Sequence, residues 1–73
     1  MIKRSLSIHG HRTSLALEAE FWTVIDAAVE GSGKSFARFI RDLDDVRTEN
    51  GTEQNLASYL RVWVLKRVQE HTS

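Results

Sequence analysis

The spacing of hydrophobic and polar residues along this chain changes at about residue 18. Upstream, the stretch R-T-S-L-A-L (12–17) alternates, so Thr13, Leu15 and Leu17 would lie on one side of a strand. The opposite side of the same strand would carry the remaining three residues, Arg12, Ser14 and Ala16. The alternation therefore predicts a short strand with one apolar and one polar side.

A second alternation precedes this strand, and it has the opposite parity. Leu6 and Ile8 alternate with polar residues, but on even positions rather than odd ones. The two apolar sets cannot share one face of a continuous strand, so Gly10 between them indicates a bulge or bend. We therefore assign residues 1–11 to a basic leader, and a single domain to residues 12–73.

Downstream of residue 18 the spacing becomes helical three times, and no internal repeat is evident. The first helix should end at the glycines of 31–33, and the second should open at Lys34 or Ser35. After a break at 48–52, a third helix should begin at Gln54 or Asn55 and extend to about 70. The positions expected to face the core have helical spacing: Phe21, Trp22, Ile25, Ala28 and Val29; Phe36, Phe39, Ile40, Leu43 and Val46; Leu56, Leu60, Trp63, Val64 and Val68.

A lone strand leaves its backbone hydrogen-bonding groups without partners. Two copies of the chain would solve this by pairing their strands antiparallel, with Leu15 and Leu17 buried under the helices of both protomers. The predicted fold class is mostly α with one short β-strand, in an intertwined homodimer with a two-stranded antiparallel intermolecular ribbon. A two-stranded ribbon fits the major groove of B-DNA, so its polar side is a candidate nucleic-acid surface.

Composition narrows the class of protein further. The chain has 73 residues and no cysteine, which excludes disulfides and thiolate metal sites. A chain this short without such braces often completes its core by oligomerising. It has neither the apolar run of a signal peptide nor that of a membrane span, which predicts a soluble, cytoplasmic protein.

The charges are unevenly distributed although they balance to zero. Residues 1–17 carry a net charge of +3, residues 18–54 carry −5, and residues 55–73 carry +2. A basic beginning on an acidic body favours a directed contact with an anionic partner. The overall balance argues against strong nonspecific binding to nucleic acid.

Several segments together resemble the ribbon-helix-helix family of Arc and MetJ type. They are the strand R-T-S-L-A-L, the acidic first turn E-A-E-F-W and the turn G-K-S between two helices. The longer segment H-G-H-R-T-S-L-A-L-E-x-E-F-W, with L-R-V-W-V-L near the C-terminus, resembles a bacterial variant with an extra C-terminal helix. The resemblance implies a homodimer whose ribbon enters the major groove.

The resemblance also implies site residues. Arg12, Ser14 and Ala16 would face the bases: Arg12 suits guanine O6 and N7, Ser14 suits most base edges, and Ala16 suits a thymine methyl group. Backbone N–H groups at the start of the second helix would bind a phosphate. The implied phosphate contacts are Gly33, Lys34, Ser35 and Phe36, with Lys3 and Arg4 of the leader.

Two other kinds of chemistry, metal binding and catalysis, have candidate residues in the sequence. His9 and His11 would point the same way on a regular strand, a spacing that can bind zinc, nickel or copper, but they also suit polar strand residues near a bend. We predict neither a metal nor a cofactor. No serine has a histidine and acid framework nearby, and Gly31–Ser35 lacks phosphate-loop spacing, so we predict that the protein is not an enzyme.

Two hypotheses on function follow. The first is a homodimeric DNA-binding protein, a bacterial transcriptional regulator that inserts its ribbon into the major groove. The second is a protein-interaction module, antitoxin-like or an adaptor, with a partner on the third helix or on the acidic second helix and little DNA binding. Ala16 at a reading position and the acids Asp42, Asp44 and Asp45 on the second helix favour the second hypothesis.

Overall fold

The computed structural model describes residues 1–51 and 55–72. In that part of the chain two strands precede three helices: β1 (Ile2–Ile8), β2 (His11–Leu17), α1 (Ala19–Ser32), α2 (Phe36–Glu49) and α3 (Leu56–Thr72). This mostly helical fold, with an antiparallel ribbon followed by three helices, confirms the predicted mostly α class with a two-stranded ribbon and a C-terminal third helix. None of the helices in the described ranges combines the length and apolarity that a bilayer span requires.

The ribbon differs from the prediction because both of its strands belong to one chain. The sequence indicated a single strand that pairs with a second copy, whereas β1 supplies the partner strand to β2 within the chain. The turn between them consists of His9 and Gly10, with φ angles of 53° and 76°. Two successive residues with positive φ form the type I′ turn that closes tight hairpins.

The opposite parity of the two apolar sets follows from this turn. With Ile8 paired to His11, the numbers of any two partners add to 19, so even positions face odd ones. Cross-strand partners share a face of the sheet. Leu6 and Ile8 therefore join Leu15 and Leu17 on one buried side, which we call the inner face of the ribbon.

The inner face packs on the helices and completes the core. β1 contacts α2, β2 contacts α3, and α1 contacts the other two helices. The Nε1 atom of Trp22 donates a hydrogen bond of 2.8 Å to the carbonyl oxygen of Ile2, which joins α1 to the start of β1. The most deeply buried side chains come from β2 and the three helices: Leu17, Trp22, Ile25, Ile40 and Leu60.

Two predicted core residues lie at the surface instead. Val46 is 42% exposed and Val68 is 41% exposed. In each helix the arginine next to the valine is half-buried in its place. In α2 this is Arg47, which pairs with Asp44, and in α3 it is Arg67, which lies over the ring of Trp63. Long arginine side chains cover apolar surface with their stems and keep the charge near water.

The third helix begins close to one of its two predicted starts. Leu56 is its first residue, and the side chain of Asn55 accepts a hydrogen bond of 2.8 Å from the backbone N–H of Ser58. This is the pattern of a helix N-cap. Gln54, the other predicted start, lies outside the described residues.

Candidate nucleic-acid interface

The polar side of the ribbon is built from both strands. We call it the outer face, and it consists of three cross-strand pairs: Lys3 with Ala16, Ser5 with Ser14, and Ser7 with Arg12. Ala16 is partly covered, and the other five side chains are exposed. The predicted reading residues thus lie together on one surface, and Lys3 joins them.

The turn sets the spacing of the outer face. Residues that flank a two-residue turn form a hydrogen-bonded pair, so the outer-face pairs fall at the alternate positions where side chains lie closest. Accordingly, the Oγ atoms of Ser5 and Ser14 are 3.2 Å apart. The hydroxyl groups form a bridge across the middle of the ribbon, in which one donates to the other.

The outer face is cationic at both ends and polar in the middle. Lys3 and Arg12 lie at opposite ends of the ribbon, and residues 1–17 contain no acidic side chain. Two strands in an extended, twisted pair match the width of the major groove. Cations for guanine acceptors and hydroxyls for mixed donors and acceptors are the groups that read base edges there.

Arg4 lies on the inner face, away from its neighbour Lys3. Its guanidinium donates hydrogen bonds of 2.7 and 2.9 Å to the two carboxylate oxygens of Asp26, and it lies 4.5 Å from the ring centre of Trp22. These hydrogen bonds lower the pKa of Asp26 and raise that of Arg4. The structure thus separates Arg4 from the other predicted reading and phosphate contacts on the ribbon.

The turn between α1 and α2 holds the remaining predicted phosphate contacts. Gly33 ends α1 with a φ of 74°, and the Oγ atom of Ser35 caps α2 by accepting a bond of 3.2 Å from the N–H of Arg38. Lys34 donates from Nζ to Asp42 at 2.7 Å, a bond that lowers the pKa of that carboxyl group. Phe36 packs edge-on against Trp22 in the core, with ring centres 5.8 Å apart.

The two histidines do not share a strand. His9 lies in the turn, where its Nε2 atom is 2.7 Å from an oxygen of Asp45, and His11 begins β2. Both line an open cavity of about 250 Å³ between the ribbon tip and α2. Within residues 1–51 and 55–72, no three His, Cys, Asp or Glu side chains are grouped as metal ligands.

Sequence reasoning missed Ser5 and Ser7 as members of the outer face. The signal was present in the even-numbered apolar residues Leu6 and Ile8, which place the odd-numbered serines on the opposite side of any strand. Only the assignment of residues 1–11 to a leader hid it. The partner of Arg4 had no such signal, because Asp26 lies 22 residues away.

The architecture defines a class of protein: a two-stranded ribbon with an exposed polar face, held by three helices. A ribbon-helix-helix domain model matches residues 1–68, and the chain belongs to this family. Domains of this family generally bind DNA as dimers, in transcription regulators or antitoxins. No curated protein and no solved structure shows significant similarity to the chain.

Proposed function

We propose that this protein is a homodimeric DNA-binding protein, a bacterial transcriptional regulator that acts in the cytoplasm and has no catalytic role. The observation that carries the proposal is the outer face of the ribbon, with its cations, hydroxyls and lack of acids. The inner face anchors the ribbon to the core, so the outer face meets a ligand as a rigid surface. Membership in a family that generally binds DNA supports the same conclusion.

In the proposed complex the outer face enters the major groove with Arg12 and Ser14 toward base edges. Arg12 donates two hydrogen bonds to guanine O6 and N7. Gly33 to Phe36 form the phosphate contact at the N-terminus of α2, where the backbone N–H groups of Ser35 and Phe36 donate to the phosphate, because that of Lys34 already donates to the Oγ of Ser32. Lys34 contributes less there, because its charge is already paired with Asp42.

The test is binding to genomic fragments by fluorescence anisotropy at about 50 and about 200 mM salt. We expect binding at the lower salt and weaker binding at the higher salt, because phosphate contacts release counterions. Arg12→Ala should cost about 1–3 kcal/mol of discrimination between preferred and random sequences. Lys66→Ala is the matched control, since it removes an exposed cation from α3 rather than from the ribbon. Absence of binding at the lower salt would contradict the proposal.

In the proposed dimer, the second chain must bind at a surface that leaves each ribbon two strands wide. Strands lie about 4.8 Å apart, so a sheet of four strands measures about 14 Å between its outer strand axes, more than the roughly 12 Å width of the major groove. Edge-to-edge pairing of two hairpins would therefore keep them out of the groove. A different surface is needed for the dimer.

The third helix offers that surface. Val62, Leu65 and Val68 are 36%, 56% and 41% exposed, although Leu60 and Val64 of the same helix are buried in the core. A helix that is apolar on both sides is usually covered on both sides. We propose that the exposed residues of α3 pack against the same helix of the second copy.

The proposed role of α3 as the dimer interface is tested by measuring the mass of the protein in solution. Leu65→Lys should convert the dimer to a folded monomer, because Leu65 lies outside the core, whereas Lys66→Ala should leave the mass unchanged. A wild-type monomer would instead favour the second candidate function, a protein-interaction module whose partner covers α3. The exposed apolar residues of α3 are the observation that favours that candidate.

A further inference from the structure

The two strands of the ribbon have similar sequences. K-R-S-L-S-I (3–8) and R-T-S-L-A-L (12–17) match in kind along all six positions: basic, polar, serine, leucine, small and aliphatic. The second segment lies nine residues after the first. This six-residue repeat is too short to be evident from the sequence, where none was predicted, and its meaning appears only when the strands are seen to pair.

The register of the hairpin coincides with the repeat. The residue numbers of cross-strand partners add to 19, and those of equivalent positions in the repeat differ by nine. A rotation that exchanges the two strands therefore places the pair Lys3–Ala16 on Arg12–Ser7, the pair at the opposite end of the ribbon. The same exchange carries the central pair, Ser5–Ser14, onto itself. The outer face thus has an approximate two-fold axis, perpendicular to the sheet, through the two serine hydroxyls.

B-DNA has axes of the same kind, which relate its two strands. A ribbon with this symmetry presents equivalent groups to both DNA strands when the two axes coincide. We propose that the ribbon of one chain reads a short, nearly palindromic sequence, with Lys3 and Arg12 contacting guanines on opposite DNA strands. This inference rests on the proposed DNA-binding function and specifies its recognition site.

The dimensions set the length of that site. Lys3 and Arg12 lie at end pairs that are four residues apart along the ribbon, or about 13 Å at 3.3 Å per residue. Base pairs are spaced by about 3.4 Å, so the two cations reach bases about four steps apart. Each chain then reads about four to six base pairs, and a dimer reads two such sites.

The two cross-strand pairs that break the symmetry still supply polar groups at both ends of the ribbon. Ala16 has no polar atom, but its cross-strand partner Lys3 supplies a donor at the same end of the ribbon. At the other end Arg12 lies beside Ser7, which can donate and accept. The two halves of the site should therefore be similar without being identical.

The experiment is selection of bound sequences from a random duplex library. We expect the wild type to enrich a nearly palindromic core, once per chain. Arg12→Ala should relax one end of the core and Lys3→Ala the other, each by about 5- to 150-fold in relative affinity. Lys3→Arg should retain the preference that Lys3→Ala loses.

A double variant tests the symmetry itself. Lys3→Arg with Ser7→Ala makes the outer-face residues of the two strands identical in kind: arginine, serine and alanine on each. We expect this variant to select a perfect palindrome in place of the imperfect one. Both positions are exposed, so circular dichroism should show an unchanged fold.

The outcomes separate the two proposals. Failure of the wild type to enrich any sequence, with no binding at about 50 mM salt, overturns DNA binding and this inference together. Enrichment of an asymmetric core, or a Lys3→Ala variant that loses affinity equally for all sequences, overturns the inference alone. In the latter case Lys3 contacts a phosphate. Lys66→Ala is again the control and should leave the selected core unchanged.

Discussion

The two faces of the ribbon give neighbouring residues of one strand different tasks. Lys3 and Arg4 are adjacent cations that the sequence assigned to one basic leader. Lys3 projects from the outer face, exposed and opposite Ala16. Arg4 projects from the inner face, where its guanidinium is paired with Asp26 and lies over Trp22. A charge count over the leader treats both as ligands for DNA, whereas strand alternation makes one a surface cation and the other part of the packing.

The comparison shows why the outer face can remain polar and exposed. The residues that anchor the ribbon to the core lie on the inner face, so the outer-face side chains contribute little to folding. Changes on the inner face should therefore alter stability, and changes on the outer face should mainly alter the proposed binding to DNA. The following three predictions test that division.

The largest effect should come from the most deeply buried residue of the inner face, Leu17 at the end of β2. Leu17 is fully buried, and Leu17→Ala should cost about 2–5 kcal/mol by removing contacts and leaving a cavity. A chain of this size has a total stability of about 4–11 kcal/mol, so this is a large share. Urea denaturation followed by circular dichroism measures it. Ser7→Ala on the outer face is the control and should change stability by less than about 0.5 kcal/mol. Equal losses for the two variants would contradict the division.

The turn that creates the two faces should give a smaller effect. Gly10 has a φ of 76°, a conformation that costs other residues about 1–2 kcal/mol, and open space surrounds the position of an added Cβ atom. Gly10→Ala should therefore destabilise the protein by about that amount through backbone strain alone.

Gly31 provides a matched control for this strain. It lies inside α1, also with open space around an added Cβ atom and with no positive φ. Gly31→Ala should stabilise the protein by about 0.5–1 kcal/mol, because alanine suits a helix better than glycine. Opposite signs for the two substitutions in the same denaturation experiment are expected. A stabilising Gly10→Ala would show that the turn is not strained for alanine.

The helices and β2 could be predicted because their signals are local. Helical spacing located α1, α2 and α3 to within a few residues, and alternation placed Leu15 and Leu17 on the buried side. β1 was missed because its basic residues resembled a leader, and because a turn that begins with His9 lacks the usual Asn-Gly or Asp-Gly signal. The parity change around Gly10, interpreted as a bulge, was in fact the mark of a two-residue hairpin.

The candidate site was predictable to the same extent. Alternation alone put Arg12, Ser14 and Ala16 on one face, and that placement is confirmed. The contribution of β1 to the face depends on the register of a hairpin, which a single strand cannot reveal. Long-range partners such as Asp26 for Arg4 depend on how α1 lies under the ribbon, and no local pattern encodes that position.

The smallest predicted effect concerns Arg4 and Asp26, and it depends on pH. The hydrogen bonds from Arg4 hold the pKa of Asp26 below its ordinary value of 3.8. A carboxyl group with a lowered folded-state pKa stabilises the fold fully above its unfolded pKa, and this contribution disappears as the pH falls through the folded pKa. The stabilisation from Asp26 is therefore lost over a pH range that begins near pH 4 and extends downward. Because Asp26 is 51% exposed, the contribution should be at most about 1 kcal/mol.

Asp26→Asn isolates this contribution from those of other carboxyl groups. The variant should be less stable than the wild type at pH 7, and the difference should shrink as the pH falls below about 4, since protonation removes the same charge from the wild type. Denaturation curves at several pH values measure the difference. In an Arg4→Met background the Asn substitution should have no such pH dependence, because the donor is gone. A difference between wild type and Asp26→Asn that stays constant with pH would mean that Arg4 is anchored by its stacking on Trp22 and not by the carboxylate.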